Sequence, residues 1–109
     1  MDAGDLLRLV SEPTRYGILG ELRQGERTVS QLVAALGDEQ SNVSHHLALL
    51  RSTGLVVSRR EGRTQQYRLA DPQIAGLLVQ VEAIAGRLDQ VAYTASLGLQ
   101  SDPTFHGYG

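Results

Sequence analysis

The sequence predicts a mainly α chain that carries a β-hairpin wing, in the order α-α-α-α-β-β-α. Three observations predict it. Apolar residues recur at helical spacing through the first half, alternate with polar ones at Tyr67 and Leu69 in a stretch that turns at Gly62, and return to helical spacing from residue 72. Capping residues and glycines stand where those periods change. The length of 109 residues suits one domain, 1–100, followed by the aperiodic tail "SDPTFHGYG" at 101–109.

The first helix is written by "DAGDLLRLVS", with Leu6, Leu7 and Val10 on one side. Ser11 and Pro13 read as the cap and first turn of a second helix, "PTRYGILGELRQ", which is expected to end near Gly25. Its stripe is Tyr16, Leu19 and Leu22, with Ile18 beside it. Thr28 and Gln31 form a capping-box pair in front of "VSQLVAAL", and Gly37 closes that helix. A fourth helix spans about 41–52, with Gly54 as its stop signal. Two short helices joined by a few residues that include a glycine outline a helix-turn-helix.

Next, Val56–Arg60 and Thr64–Leu69 flank "EGR", where Gly62 supplies the positive φ of a tight turn. Tyr67 and Leu69 alternate with Gln66 and Arg68, so one face packs and the other is wet. From Asp71–Pro72 a last helix runs to about Leu99. Ile74, Leu77, Leu78, Val81, Ile84, Leu88 and Val91 lie on one side of it. That face is broader than a lone surface helix requires, which suits a dimer interface or a buried central helix. The dimer reading takes Leu6, Leu7, Val10, Val81, Ile84, Leu88 and Val91 as its contacts.

Composition narrows the function. With no cysteine, disulfides, thiolate metal sites and cysteine nucleophiles are excluded. No apolar run approaches the roughly 20 residues of a membrane span, and the start "MDAGDLLRLV" does not read as a signal peptide. The expected location is the cytoplasm, at the nucleoid. The net charge of −2 argues against nucleic acid, but its distribution argues for it. Every cation is an arginine, and Arg51, Arg59, Arg60, Arg63 and Arg68 cluster against Glu61 alone. A phosphate backbone meets that local field. By itself, the cluster also reads as a solvated arginine-rich hairpin.

The triplet Ser44–His45–His46 raises three chemistries. As a nucleophile and its base, adjacent helical residues diverge instead of converging, and no acid orients either histidine. As metal ligands, they have the i, i+1 spacing that a helix does not favour. The third is DNA reading. Val43, Leu47 and Leu50 face the core, so Ser41, Ser44, His45 and Ala48 lie opposite, with Asn42 at the edge. Short polar groups on an exposed helix face suit a major groove. His46, beside the core stripe, reads equally as a packed histidine or a functional one. With no glycine-rich phosphate loop, paired-carboxylate cleft or triad, an enzyme is not expected.

"SEPTRYGILGEL", "TVSQLVAALG", "QSNVSHHLALLRSTGLV" and "RREGRTQQYRL" together resemble the ArsR/SmtB-type winged helix-turn-helix regulators, in order from about Ser11 to Asp71. The resemblance implies a homodimeric transcriptional regulator of double-stranded DNA, joined through its first and last helices and reading an inverted repeat. It implies a recognition helix carrying Gln40, Ser41, Asn42, Ser44 and His45, and a wing carrying Arg59, Arg60, Arg63 and Thr64.

The family's metal-sensing positions match less well. No cysteine stands on the helix "VSQLVAAL", and the last-helix set corresponds here to Asp71, Gln73, Ile84 and Arg87. Asp71 also reads as the N-cap behind Pro72. A nickel or zinc site is then left to His106, Asp102 and Asp2, an imidazole–carboxylate set that suits those ions. The alternative is a metal-independent DNA-binding subunit, controlled by its abundance or by a partner protein.

Overall fold

The computed structural model describes residues 1–98. Among them the elements run α1 (Ala3–Ser11), α2 (Pro13–Leu22), α3 (Val29–Leu36), α4 (Gln40–Ser52), β1 (Val56–Glu61), β2 (Thr64–Leu69) and α5 (Pro72–Ser96). The order is the expected one.

Caps set the boundaries. The Asp2 carboxylate accepts the Asp5 N–H at 2.8 Å and opens α1. Glu12 is extended (φ −68°, ψ 132°), as the residue before a proline prefers, so α1 stops there. The cap of α2 is therefore Glu12 and not Ser11. Its carboxylate accepts the Arg15 N–H at 2.9 Å, while Ser11, already the last residue of α1, donates back to the Arg8 carbonyl at 3.1 Å. Helix α2 ends at Leu22, short of Gly25, because the Gln24 and Gly25 N–H groups bond Glu21 and Leu22 in a tightened turn. The capping box of α3 is formed: Thr28 N–H to Gln31 at 2.9 Å and Gln31 N–H to Thr28 at 3.2 Å. Gly37, at φ 63°, closes that helix.

The chain divides at Gly76–Leu77 into two units. In the first, Ile18, Leu19, Leu22, Leu32, Val43, Leu47, Leu50, Leu55 and Val56 make a core exposed by no more than 5% at any position. Residues 43, 47 and 50 fall on one stripe of α4, so burying them fixes that helix's rotation. Val10 is also buried, at 5% in the single chain. Leu6 is half-buried and Leu7 exposed.

The hairpin pairs Val56 with Leu69 through to Glu61 with Thr64, and Gly62 turns it at φ 61°. A third pairing carries no signal in the sequence. Arg27 exchanges both backbone hydrogen bonds with Tyr67, at 3.0 and 2.8 Å, just ahead of α3. This clamps the wing to the helix-turn-helix.

In the second unit, α5 continues to Ser96 and turns with Gly98 at φ 74°. Leu99, the expected end, lies outside the described residues. Val81, Ile84 and Leu88 are exposed at 37%, 44% and 62%, and Val91 is half-buried. None of the described helices is long and apolar enough to cross a membrane.

Candidate nucleic-acid interface

With Val43, Leu47 and Leu50 pinned inward, the other side of α4 presents Gln40, Ser41, His45 and Ala48 to solvent, with Ser44 half-buried. Among the described residues, no side-chain hydrogen bond occupies Ser41, Ser44 or His45. Their donors and acceptors face outward on a helix that cannot rotate.

Asn42 and His46 differ from these. The Asn42 amide donates to Asp38 at 2.7 Å and to Thr14 at 3.4 Å. Asp38 also accepts the Glu39 N–H at 2.7 Å. The Asn42 hydrogen bond, and then the Glu39 amide, hold the Asp38 carboxyl below its ordinary range. Asn42 thus ties the start of α4 to the turn before it and to α2.

The side chain of His46 is 15% exposed, and its Nδ1 sits 3.1 Å from Arg15 Nη1 and 3.6 Å from Glu12 Oε2. Arginine has no acceptor, so in the shorter contact it is Nδ1 that accepts from Arg15, and the Glu12 carboxylate lies beside the same ring atom. Arg15 also donates from Nε to the Leu9 carbonyl at 2.7 Å, linking α1, α2 and α4. Burial pushes the Glu12 carboxyl up, but the amides of Arg15 and Thr14 outweigh it, and its pKa is lowered. Of the two readings left open for His46, the packed one describes its surroundings.

On the wing, the arginines are not equivalent. Arg59 Nε and Nη2 reach Glu26 at 2.9 and 2.7 Å, and Nη2 also reaches Glu61 at 2.9 Å. The Glu26 hydrogen bond raises the pKa of Arg59 and lowers that of Glu26. Arg60 and Arg63 are exposed, and among the described residues no carboxylate pairs with either. Thr64 donates its hydroxyl to the Glu61 carbonyl at 2.9 Å, closing the turn. Neither Glu26, 33 residues from Arg59, nor Glu12 and Arg15 carried a sequence signal, because only folding brings them to their partners.

The sequence profile "Bacterial regulatory protein, arsR family" matches residues 12–58. The HTH-type transcriptional repressor SmtB of Mycobacterium tuberculosis is 43% identical over 84 residues, covering 77% of this chain and 62% of the repressor. A "Probable mercury resistance operon repressor" of Streptomyces lividans is 36% identical over 78 residues, 72% of this chain and 62% of that protein. The chain spans about three-fifths of the length of these curated relatives. The solution structure of the homodimeric winged helix-turn-helix DNA-binding domain of Mb0332 from Mycobacterium bovis overlays with a TM-score of 0.67. It is 38% identical and covers 72% of this chain and 73% of that one. Helices α3 and α4 with the β1–β2 wing are a winged helix-turn-helix.

Proposed function

The chain belongs to the ArsR family of bacterial regulatory proteins, transcriptional regulators and not enzymes, and we propose that it binds an operator in double-stranded DNA as a homodimer. One observation carries the reading. Ser41, Ser44 and His45 point uncommitted polar groups outward from a helix locked by Val43, Leu47 and Leu50, beside a wing whose Arg60 and Arg63 are unpaired among the described residues. The helix residues, with Gln40, read base edges; the wing residues, with Thr64, hold the backbone. The exposed Leu7, Val81, Ile84 and Leu88 support the dimer. A two-fold dimer reads an inverted repeat, with half-sites roughly 34–36 Å apart or a multiple of that. Selection from a random-sequence duplex library tests this. The expected product is an inverted repeat, and a selection that enriches no sequence overturns the reading.

The matched metal positions do not fit an ion. The Asp71 carboxylate accepts the Gln73 N–H at 2.9 Å, and neither Ile84 nor Arg87 offers a lone pair. Among the described residues, no three His, Cys, Asp or Glu side chains cluster to hold a metal. His106 and Asp102 lie outside the described residues, and Asp2 is engaged as the cap of α1. The regulator is then either responsive to nickel or zinc through His106, Asp102 and Asp2, or a metal-independent subunit governed by abundance or a partner protein. Calorimetric titration with nickel and zinc, on the full chain and on one truncated before Ser101, separates the readings. Heat from the full chain alone assigns a metal response to the tail. An ion would change DNA affinity only by binding the competent and incompetent dimers unequally.

A further inference from the structure

We propose that the crevice between α4 and the hairpin seats the sugar–phosphate strand of the duplex, with Arg51 and Tyr67 as the residues that hold its phosphate. The inference rests on the DNA-binding function above and adds a phosphate site to it.

The crevice has a volume of about 370 Å³ and is lined by Val29 at the start of α3, by Ser44, Ala48, Arg51 and Ser52, and by Tyr67 of β2. The α4 residues lie at i, i+4, i+7 and i+8, so they share one face, and Ser44 and Ala48 place that face next to the reading surface. Among the described residues, no carboxylate lines it. Among the described residues, nothing hydrogen-bonds the Arg51 guanidinium or the Tyr67 hydroxyl. The tethered arginines differ sharply: Arg59 is held by Glu26 and Glu61, and Arg15 by Leu9 and His46.

Tyr67 is also firmly mounted. Its backbone pairs with Ser58 of β1 on one side and bridges to Arg27 on the other, so the residue that carries the ring is held from both sides. Gln65, two residues earlier and on the same face of β2, has a fully enclosed Oε1 without a partner. An arginine fork and a phenol O–H, with no opposing carboxylate, form a donor set for an oxyanion. The slot is open-sided, as a passing polymer requires.

Duplex geometry supplies the occupant. Each sugar–phosphate strand is the ridge between a major and a minor groove. With α4 in the major groove and the wing over the adjacent minor groove, the ridge between those grooves runs through the gap separating helix from hairpin. A role for Arg51 limited to offsetting the dipole at the C-terminus of α4 would affect stability and leave DNA salt dependence unchanged.

The test is the affinity for a random-sequence duplex as a function of salt, for the full chain and its variants. Each phosphate left without its cation should reduce the slope of log affinity against log salt by about 0.9, and a dimer has two crevices. Arg51→Ala should show that reduction, and Arg51→Lys, which keeps the charge, should restore the slope. Tyr67→Phe should keep the slope and lower affinity several-fold on all sequences alike. Arg51→Ala with wild-type slope and affinity overturns the crevice assignment, and Tyr67→Phe with wild-type affinity removes the tyrosine from it. In both cases DNA binding by the wild type stands. Wild-type protein that binds no duplex overturns the proposed function itself.

Discussion

Arg59 and Glu26, 33 residues apart, meet in a two-pronged ion pair, Nε to Oε2 at 2.9 Å and Nη2 to Oε1 at 2.7 Å. With Glu61 as a second acceptor, the wing's first arginine has its charge matched before any DNA arrives. It joins the wing to the segment before α3, alongside the Arg27–Tyr67 pairing.

Arg59 should therefore matter less to DNA than its neighbours. Arg60→Ala or Arg63→Ala should each weaken binding to any duplex and flatten its salt dependence by about one phosphate per subunit. Arg59→Ala should do so less. Glu26→Gln should strengthen binding, because it removes an anion and releases the guanidinium. Fluorescence anisotropy on a random duplex measures all four, and an Arg59→Ala loss equal to that of Arg60→Ala would contradict this ranking.

The adjacent histidines should separate. His45 is exposed and His46 braces Arg15. His46→Ala strands a part-buried guanidinium donor and should cost about 1–2 kcal/mol of stability, with base discrimination preserved. His45→Ala should stay within about 0.5 kcal/mol and reduce discrimination between the selected operator and random DNA. Urea unfolding and competition binding measure the two effects. The reverse pattern would exchange the roles assigned to the two residues.

Acid should unfold the protein through particular carboxylates. Glu12, Glu26 and Asp38 all have lowered pKa values, from ordinary values of 4.5, 4.5 and 3.8. A depressed folded-state pKa means that the unfolded chain binds protons first. The stabilisation is complete above the ordinary value and is lost as pH falls through the folded one. Stability should thus be insensitive to these groups near neutral pH and decline below about pH 4.5. Glu12→Gln should lower stability at neutral pH and make the acid decline shallower, as thermal melts across pH will show. An unchanged acid limb removes Glu12 from the account.

The rotation of α4 depends on its core stripe. Leu47 is 1% exposed, and Leu47→Ala should cost about 2–5 kcal/mol, a large part of a small domain's total stability. Denaturant titration gives the number. A cost below about 1 kcal/mol would mean that α4 is anchored by something other than this stripe.

Leu88 provides the oligomer test. It is 62% exposed in the single chain, so a charge there would cost a monomer almost nothing. Buried at a two-fold seam without a partner, it would be strongly unfavourable. Leu88→Glu should sediment as a monomer and lose operator affinity. Sedimentation identical to wild type would move the interface elsewhere.

By itself, the sequence determined whatever is encoded locally. The Thr28–Gln31 capping box, the glycines at 37 and 62, and the stripe of 43, 47 and 50 all act within a few residues. Hydrogen-bond rings and helical periodicity have that same short range, so the element order and the outward face of α4 could be read directly. Tertiary structure decided what that face contains. Asn42 and His46 lie within the reading stretch, yet Thr14, Asp38 and Arg15 engage them from other elements. Arg59 looked like Arg60 until Glu26 reached it. Arg51 and Tyr67, from separate elements, line one crevice only once the chain has folded. Pairings between residues far apart in the chain leave no periodic trace in it; they exist only once burial of the apolar stripes has fixed which surfaces meet.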